Sequence, residues 1–294
     1  MSKIDLNKME RSVALSRGTR IQKLSKAPRK ILYSKILELF ALLFGQSIRV
    51  KARTFWGEDM LVVIPEVVSL NLYRYGFFEE GLTRMLLEHL KPGVTFFDIG
   101  AHFGYFSLLA SYLVGDKGHV HVFEPTPSTF EVLRTNASNK NNVFLNNNAV
   151  FSRREIVSIN DYGVKYSAFN SIYNGNLSLD IIEKIGAKRY QVEAFSVDEY
   201  VGSTGVVPDF VKIDAESAEY DILQGMEMTI DEYRPKISLE VGDMNVRHAT
   251  SSKKLINFLL NKKYKPYEYK EGKIELHLLK TVPYQYDNIL FLQE

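Results

Sequence analysis

The run Phe96-Phe97-Asp98-Ile99-Gly100-Ala101-His102-Phe103-Gly104-Tyr105-Phe106 holds the residues whose types and spacing most clearly suit a ligand. An apolar stretch leads into an acid. Two glycines follow, four apart, and then an apolar helical pattern (Phe106, Leu108, Leu109, Tyr112, Leu113). This predicts strand, tight turn and helix. Gly100 lets the chain turn and brings its backbone close to a ligand, Ala101 lines the same turn, and Gly104 lets the helix start pack closely. A second predicted strand, His119 to Glu124, ends in an acid about 20 residues after Gly104, the spacing at which nucleotide-binding α/β units set a carboxylate on ribose hydroxyls. The spacing D-x-G-x-x-x-G lacks the middle glycine of the dinucleotide fingerprint. A carboxylate two residues before the turn repels a pyrophosphate and suits a cationic ligand. S-adenosylmethionine, with ammonium, sulfonium and ribose, is the predicted cofactor, and Asp98, Gly100, Ala101, Gly104 and Glu124 are its predicted contacts. Asn148, at the end of a third strand, faces the adenine side or is an ordinary strand-ending Asn.

A second group is acidic. Asp214 ends a predicted strand, Glu216 follows in the loop, and Glu240 ends the next strand. Ligands of open α/β sheets bind at the carboxyl ends of strands. Three carboxylates on one rim suit acid/base catalysis on an acceptor hydroxyl, or an oxygen-ligand divalent metal. The alternative is that Asp214 and Glu216 cap the next helix. His102 and His248 are bases near neutral pH or structural hydrogen-bonders. Tyr162, Tyr166, Phe169, Asn170, Ser171 and Tyr173 form an aromatic and polar loop suited to stacking on a cyclic acceptor, or a surface loop. Lys212 and Lys188 read as solvated.

The positioning elements alternate strand and helix from Val94 onward, the sign of a parallel sheet. Strands are predicted at Val94 to Ile99, His119 to Glu124, Val143 to Val150, Phe210 to Asp214 and Lys236 to Val241. Ile156 to Asn160 and Tyr190 to Phe195 flank the stretch from Asp161 to Gly186, and Tyr264 to Tyr269 and Asn288 to Leu292 close the chain. Helices are predicted to about Asn139 behind Pro125-Thr126-Pro127-Ser128, with Ser128 and Glu131 in capping-box spacing, at about Glu219 to Glu232, and at Leu255 to Asn261. Before them, Ile48 to Arg53 and Met60 to Ile64 read as a strand pair, and Gly81 to Leu90 as a helix. The fold class is α/β, doubly wound and Rossmann-like.

The first 54 residues carry thirteen Lys/Arg against three Asp/Glu, a balance of +10 hidden within an overall net charge of +2. Such a leader suits an anionic membrane surface, an acidic partner or nucleic acid, or is a solvated extension. Residues 1–30 read as at best a weakly formed helix. Ile31 to Phe44 is apolar nearly all round and too short to span a bilayer, so it lies in an interface or docks on the body. With no cysteine, disulfides, thiolate metal sites and Cys nucleophiles are excluded. The expected location is cytoplasmic, since no signal-peptide core is seen.

Several motifs in order resemble the FkbM-type class I methyltransferases: Asp98-Ile99-Gly100-Ala101 with Gly104-Tyr105, Phe123-Glu124-Pro125, Asn148-Ala149, Lys212-Ile213-Asp214-Ala215-Glu216-Ser217-Ala218-Glu219 with Leu223 and Gly225, and Leu239-Glu240. Leu72-Tyr73 to Gly76, Glu80 and Lys91-Pro92-Gly93 resemble the family's lead-in. The resemblance covers residues 50–294 and implies a mostly parallel, seven-stranded class I sheet there; residues 1–49, which match no family feature, read as a basic, partly helical extension. It implies S-adenosylmethionine-dependent O-methylation of a hydroxyl on a sugar, glycan or natural-product acceptor. Ser217 departs from the pattern, standing where the family has glycine. Two other readings remain open: a cofactor-binding module without turnover, and a nucleic-acid methyltransferase using the basic leader. The acidic remainder of the chain speaks against the second.

Overall fold

The computed structural model describes residues 6–173, 182, 186–243 and 250–293. Its frame is an eight-stranded sheet built from β3 (Thr95–Ile99), β4 (His119–Phe123), β5 (Val143–Asn146), β9 (Phe210–Ile213), β10 (Lys236–Val241), β11 (Tyr264–Lys270), β12 (Lys273–Leu276) and β13 (Asp287–Gln293). The order is β12-β11-β13-β10-β9-β3-β4-β5. From β10 to β5 every pairing is parallel, and β13, β11 and β12 add antiparallel strands at the other end. Seven of these strands make the mostly parallel, seven-stranded sheet expected, and the edge strand β12 is the eighth.

Side-chain alternation along β3 explains the two covered faces. Phe96 packs into one core with Leu82, Leu86, Leu108 and Leu109, while Phe97 and Ile99 pack into a second with Val211, Ile213, Ile222 and Leu259. A central parallel strand is covered on both faces, so it reads as an apolar run rather than an alternation. One face is covered by α5 (Glu80–His89) and α6 (Tyr105–Val114), the other by α8 (Val197–Thr204), α9 (Glu219–Gln224) and α11 (Ser252–Asn261).

Four expectations are corrected. The stretch Val143 to Val150 is two strands, β5 in the main sheet and β6 (Ala149–Val150) in a small sheet with β7 (Glu155–Asp161) and β8 (Lys188–Phe195). The helix expected at Glu219 to Glu232 breaks into α9 and α10 (Glu227–Tyr233) at Gly225, where a Cβ would lie 2.2 Å from the Phe151 carbonyl oxygen. The capping box at Ser128 is absent: α7 (Pro127–Ala137) starts on Thr126 and Pro127, and the Ser128 hydroxyl donates to Asp161 instead. The leader is helical, as α1 (Leu6–Arg17), α2 (Arg20–Lys26) and α3 (Pro28–Phe44). In α1, Met9 and Val13 enter the core and ion pairs Glu10–Arg84 and Arg17–Glu80 tie the helix to α5. In α2, Thr19 and Gln22 form the capping box that the long-period apolar pattern did not reveal. Beyond it, β1 (Ile48–Arg53) pairs with β2 (Asp59–Ile64), and α4 (Val67–Tyr75) lies between α3 and the central cleft. No helix among the described residues is long and apolar enough to cross a membrane.

Candidate active site

The strand-to-helix turn after β3 is held from below. The Gly100 and Ala101 amides donate to the Phe123 carbonyl, and the Asp214 amide donates to that of Ile99. Gly100 has φ 75°, and a Cβ there would lie 1.7 Å from the Asp214 carbonyl oxygen. Glycine is thus required by the approach of β9, as well as by any ligand. Gly104 (φ 89°) starts α6, where a Cβ would meet Leu133 at 2.5 Å.

Lys212 corrects the solvated reading. It is 1 % exposed, on a strand whose neighbours Phe210, Val211 and Ile213 are all buried. Its Nζ lies 3.2 Å from Asp98 Oδ1 and 3.2 Å from Asp214 Oδ2, and donates to the Gly100 carbonyl at 3.1 Å. Burial would lower the ammonium's pKa, but the charges of Asp214, Asp98 and Glu79 outweigh it and hold the group protonated well above the ordinary lysine range. Asp98 is fully buried and its other oxygen accepts from the Ser107 hydroxyl at 2.5 Å. The carboxylate expected to meet a cationic ligand therefore already has a cationic partner inside the protein.

Above this pair opens a cleft of about 1070 Å³, mouth included, at the carboxyl ends of β3, β4 and β9. Of the predicted residues, Gly100, Ala101, Glu124, Asp214 and Glu216 line it; Asp98 lies beneath its floor, and Gly104, Asn148 and Glu240 are not on its wall. Asn148 instead donates to the Glu193 carbonyl at 3.4 Å. Glu124 accepts from the His102 and Thr126 amides, at 2.9 Å each, which leaves further lone pairs for ligand hydroxyls. Burial pushes its pKa up to about 7 against those two amide bonds. His102 (φ 52°) bonds Ser167 at 2.8 Å through Nε2, and burial and the Lys212 charge lower its pKa to about 3. It is a neutral structural group, not a base near neutral pH. His248 lies outside the described residues.

The acidic rim gathers as expected and is larger. Oxygens of Asp214, Glu216 and Glu240 lie within 4.8 Å of one another. Burial, then repulsion from Asp214, raises Glu216 and Glu240 well above the usual carboxylate range. Glu219 caps the turn by accepting the Ala215 and Ser217 amides, and burial lifts it to about 7. Sequence reasoning missed Glu79, which faces the same cleft, accepts from Tyr286 and Asn288, and is lifted to about 7 by burial and Asp214. Its only sequence signal was the Phe77-Phe78-Glu79-Glu80 step. Neighbouring Glu80 turns outward to Arg17 and Arg84. Of the predicted aromatic and polar loop, Asn170 and Ser171 line the cleft, joined by Ser167, while its aromatic members are not on the wall and Tyr173 bonds Asp221. Lys188 is exposed, as expected.

A family model described as a methyltransferase FkbM domain matches residues 98–266. The chain is 27 % identical over 150 residues to hexuronic acid methyltransferase AglP of Haloferax volcanii, covering 50 % of this chain and 56 % of that protein. It is 44 % identical over 66 residues to 31-O-demethyl-FK506 methyltransferase FkbM of Streptomyces tacrolimicus, covering 22 % of this chain and 25 % of that one. The chain thus spans about half or less of the length of these curated relatives. Among solved structures, methyltransferase FkbM from Methylobacillus flagellatus KT is similar at TM-score 0.44 and 14 % identity, covering 76 % of this chain and 52 % of that chain.

Proposed function

This chain belongs to the FkbM methyltransferase family, and on that premise we propose that it transfers the methyl group of S-adenosylmethionine to a hydroxyl oxygen of a sugar-like or natural-product acceptor. One observation carries the reading. The turn at Gly100 and Ala101, the buried acid Glu124 and the rim acids Asp214 and Glu216 all face one cleft. Glu124 accepts the ribose hydroxyls, and the turn backbone lies along the cofactor. The acceptor oxygen attacks the methyl carbon as the S–CH3 bond breaks and the O–CH3 bond forms. Asp214, aimed by its ion pair with Lys212, takes the hydroxyl proton, and S-adenosylhomocysteine leaves. The names of the two curated relatives, one for a hexuronic acid and one for 31-O-demethyl-FK506, support an oxygen acceptor.

A second reading of the rim rests on Glu240, whose buried Oε1 has no hydrogen-bond partner among the described residues. With Asp214 and Glu216 it offers an all-oxygen donor set that fits Mg2+, Mn2+ or Ca2+. A cation held there supplies Lewis-acid activation of the acceptor hydroxyl.

The test is calorimetric titration with S-adenosylhomocysteine, with NADH as control and Glu124→Gln alongside. Micromolar binding by the wild type, weakened at least about tenfold by the variant, is expected for a charge-assisted bond to ribose. Failure to bind at millimolar ligand overturns the reading. Turnover that survives prolonged chelation leaves Asp214 as the base without metal. Loss of turnover restored by Mn2+, and not in Glu240→Gln, assigns the trio to the cation.

A further inference from the structure

The outward face of α3 is apolar where a surface helix is normally polar. The helix docks on α4 and β2 through Ser34, Leu37 and Ala41, with Arg74 bonded to Ser34 and paired with Glu38. On the opposite side, Leu32, Ile36, Leu39 and Leu43 are 61 %, 41 %, 56 % and 70 % exposed. Their spacing of four, three and four residues makes one continuous row along the helix. Phe40 and Phe44, stacked at 5.7 Å between ring centroids, flank the row in the open. A contiguous apolar patch of this kind marks an interaction surface rather than the scattered exposed leucines of any protein.

The charge around the row says what covers it. Arg20, Lys26, Arg29, Lys30 and Lys35 are exposed on α2 and α3, and the single acid in this stretch, Glu38, is already paired with Lys35 and Arg74. A second copy of the chain would bring this cationic set against itself. An anionic bilayer supplies both the complementary charge and an apolar layer at the depth of one helix face. At 17 residues, with its other side docked on the body, α3 lies in the interface plane rather than spanning it.

We infer that α2 and α3 form a docking face for an anionic membrane surface, with the Leu32–Ile36–Leu39–Leu43 row in the acyl boundary and the basic residues on lipid headgroups. The inference is independent of the methyl acceptor. It has one consequence for access: α4, on which α3 sits, contributes Val68 and Leu72 to the cleft wall, so the cleft lies one helix layer from the docked surface.

Co-sedimentation of the full chain with vesicles tests it. Vesicles of equal parts phosphatidylglycerol and phosphatidylcholine should retain the protein at least about tenfold better than phosphatidylcholine alone, and less so as salt rises. Leu39→Glu with Leu43→Glu, and separately Lys26→Glu with Lys30→Glu, should each abolish retention. These side chains are exposed, so circular dichroism and S-adenosylhomocysteine binding should stay at wild-type levels. Equal retention on neutral and anionic vesicles, or none on either, overturns the inference. So does a wild-type dimer in sedimentation velocity that the leucine pair converts to monomer, because a second copy would then occupy the face.

Discussion

Replacing Lys212 by methionine probes the least expected feature of the site. The substitution keeps an unbranched chain one atom shorter and removes one charge from a position where Lys212 and Asp98 are almost wholly out of water. Asp98 would keep only the Ser107 hydroxyl, and the Gly100 carbonyl would lose its donor. Removing one partner of a buried ion pair leaves an uncompensated charge, at about 3–5 kcal/mol. Asp214 is better exposed, with a fifth of its side chain in solvent, and adds little to this cost. For a chain of this size that corresponds to a fall in Tm of roughly 6–10 °C, taking about 2 °C per kcal/mol. Asp98→Asn should cost less, since Lys212 keeps Asp214. Combining it with Lys212→Met should recover part of the loss, giving a coupling energy of at least about 1 kcal/mol. Urea denaturation of the four proteins measures all three quantities. A Lys212→Met cost below about 1 kcal/mol, or strictly additive single costs, refutes the argument that this ammonium is the buried counter-charge of the site.

Other expectations follow from single positions. Ser217 sits at φ 86°, where an L-residue is strained by about 1–2 kcal/mol; glycine relieves this but adds unfolded-chain entropy, so Ser217→Gly should stabilise by roughly 0.5–1 kcal/mol in thermal unfolding. Gly100→Ala should lose S-adenosylhomocysteine binding and at least about 3 kcal/mol of stability, because the Asp214 carbonyl that a Cβ would strike is strand-end backbone that cannot swing aside. Glu124 is lifted to about 7 by burial, and in the proposed cofactor pose ribose hydroxyls would donate to its ionised form. S-adenosylhomocysteine affinity should therefore be full above pH 7 and fall by up to about tenfold per unit below it, with no such slope in Glu124→Gln. For the empty protein the linkage runs the other way. A raised carboxylate pKa contributes stability that is present below the ordinary value of 4.5 and lost as pH rises through about 7, so Tm should decline across that window.

Legibility in the sequence followed the range of each interaction. The β3 turn and α6 were readable because apolar period, acid and glycines lie within eleven consecutive residues, and Asp214, Glu216 and Glu240 because each stands at or just past the end of an apolar strand. Glu79 has no such marker: it meets the cleft through a bend whose partners, Tyr286 and Asn288, lie more than 200 residues away. The split of β5 from β6 was hidden because an apolar run shows period, not which sheet it joins. Lys212 was misread for an instructive reason. A lysine is usually solvated, but β9 is a central parallel strand with both faces covered, and the side chain at 212 is almost wholly buried. The strand assignment already implied a buried ammonium, and such a group requires carboxylates nearby. Asp98 stands opposite Lys212 on the neighbouring strand β3, and Asp214 follows two residues on, just past the end of β9 itself. One lysine thereby ties Asp98, buried beneath the Gly100 turn, to Asp214 on the cleft wall, so the turn and the acidic rim share a single electrostatic anchor.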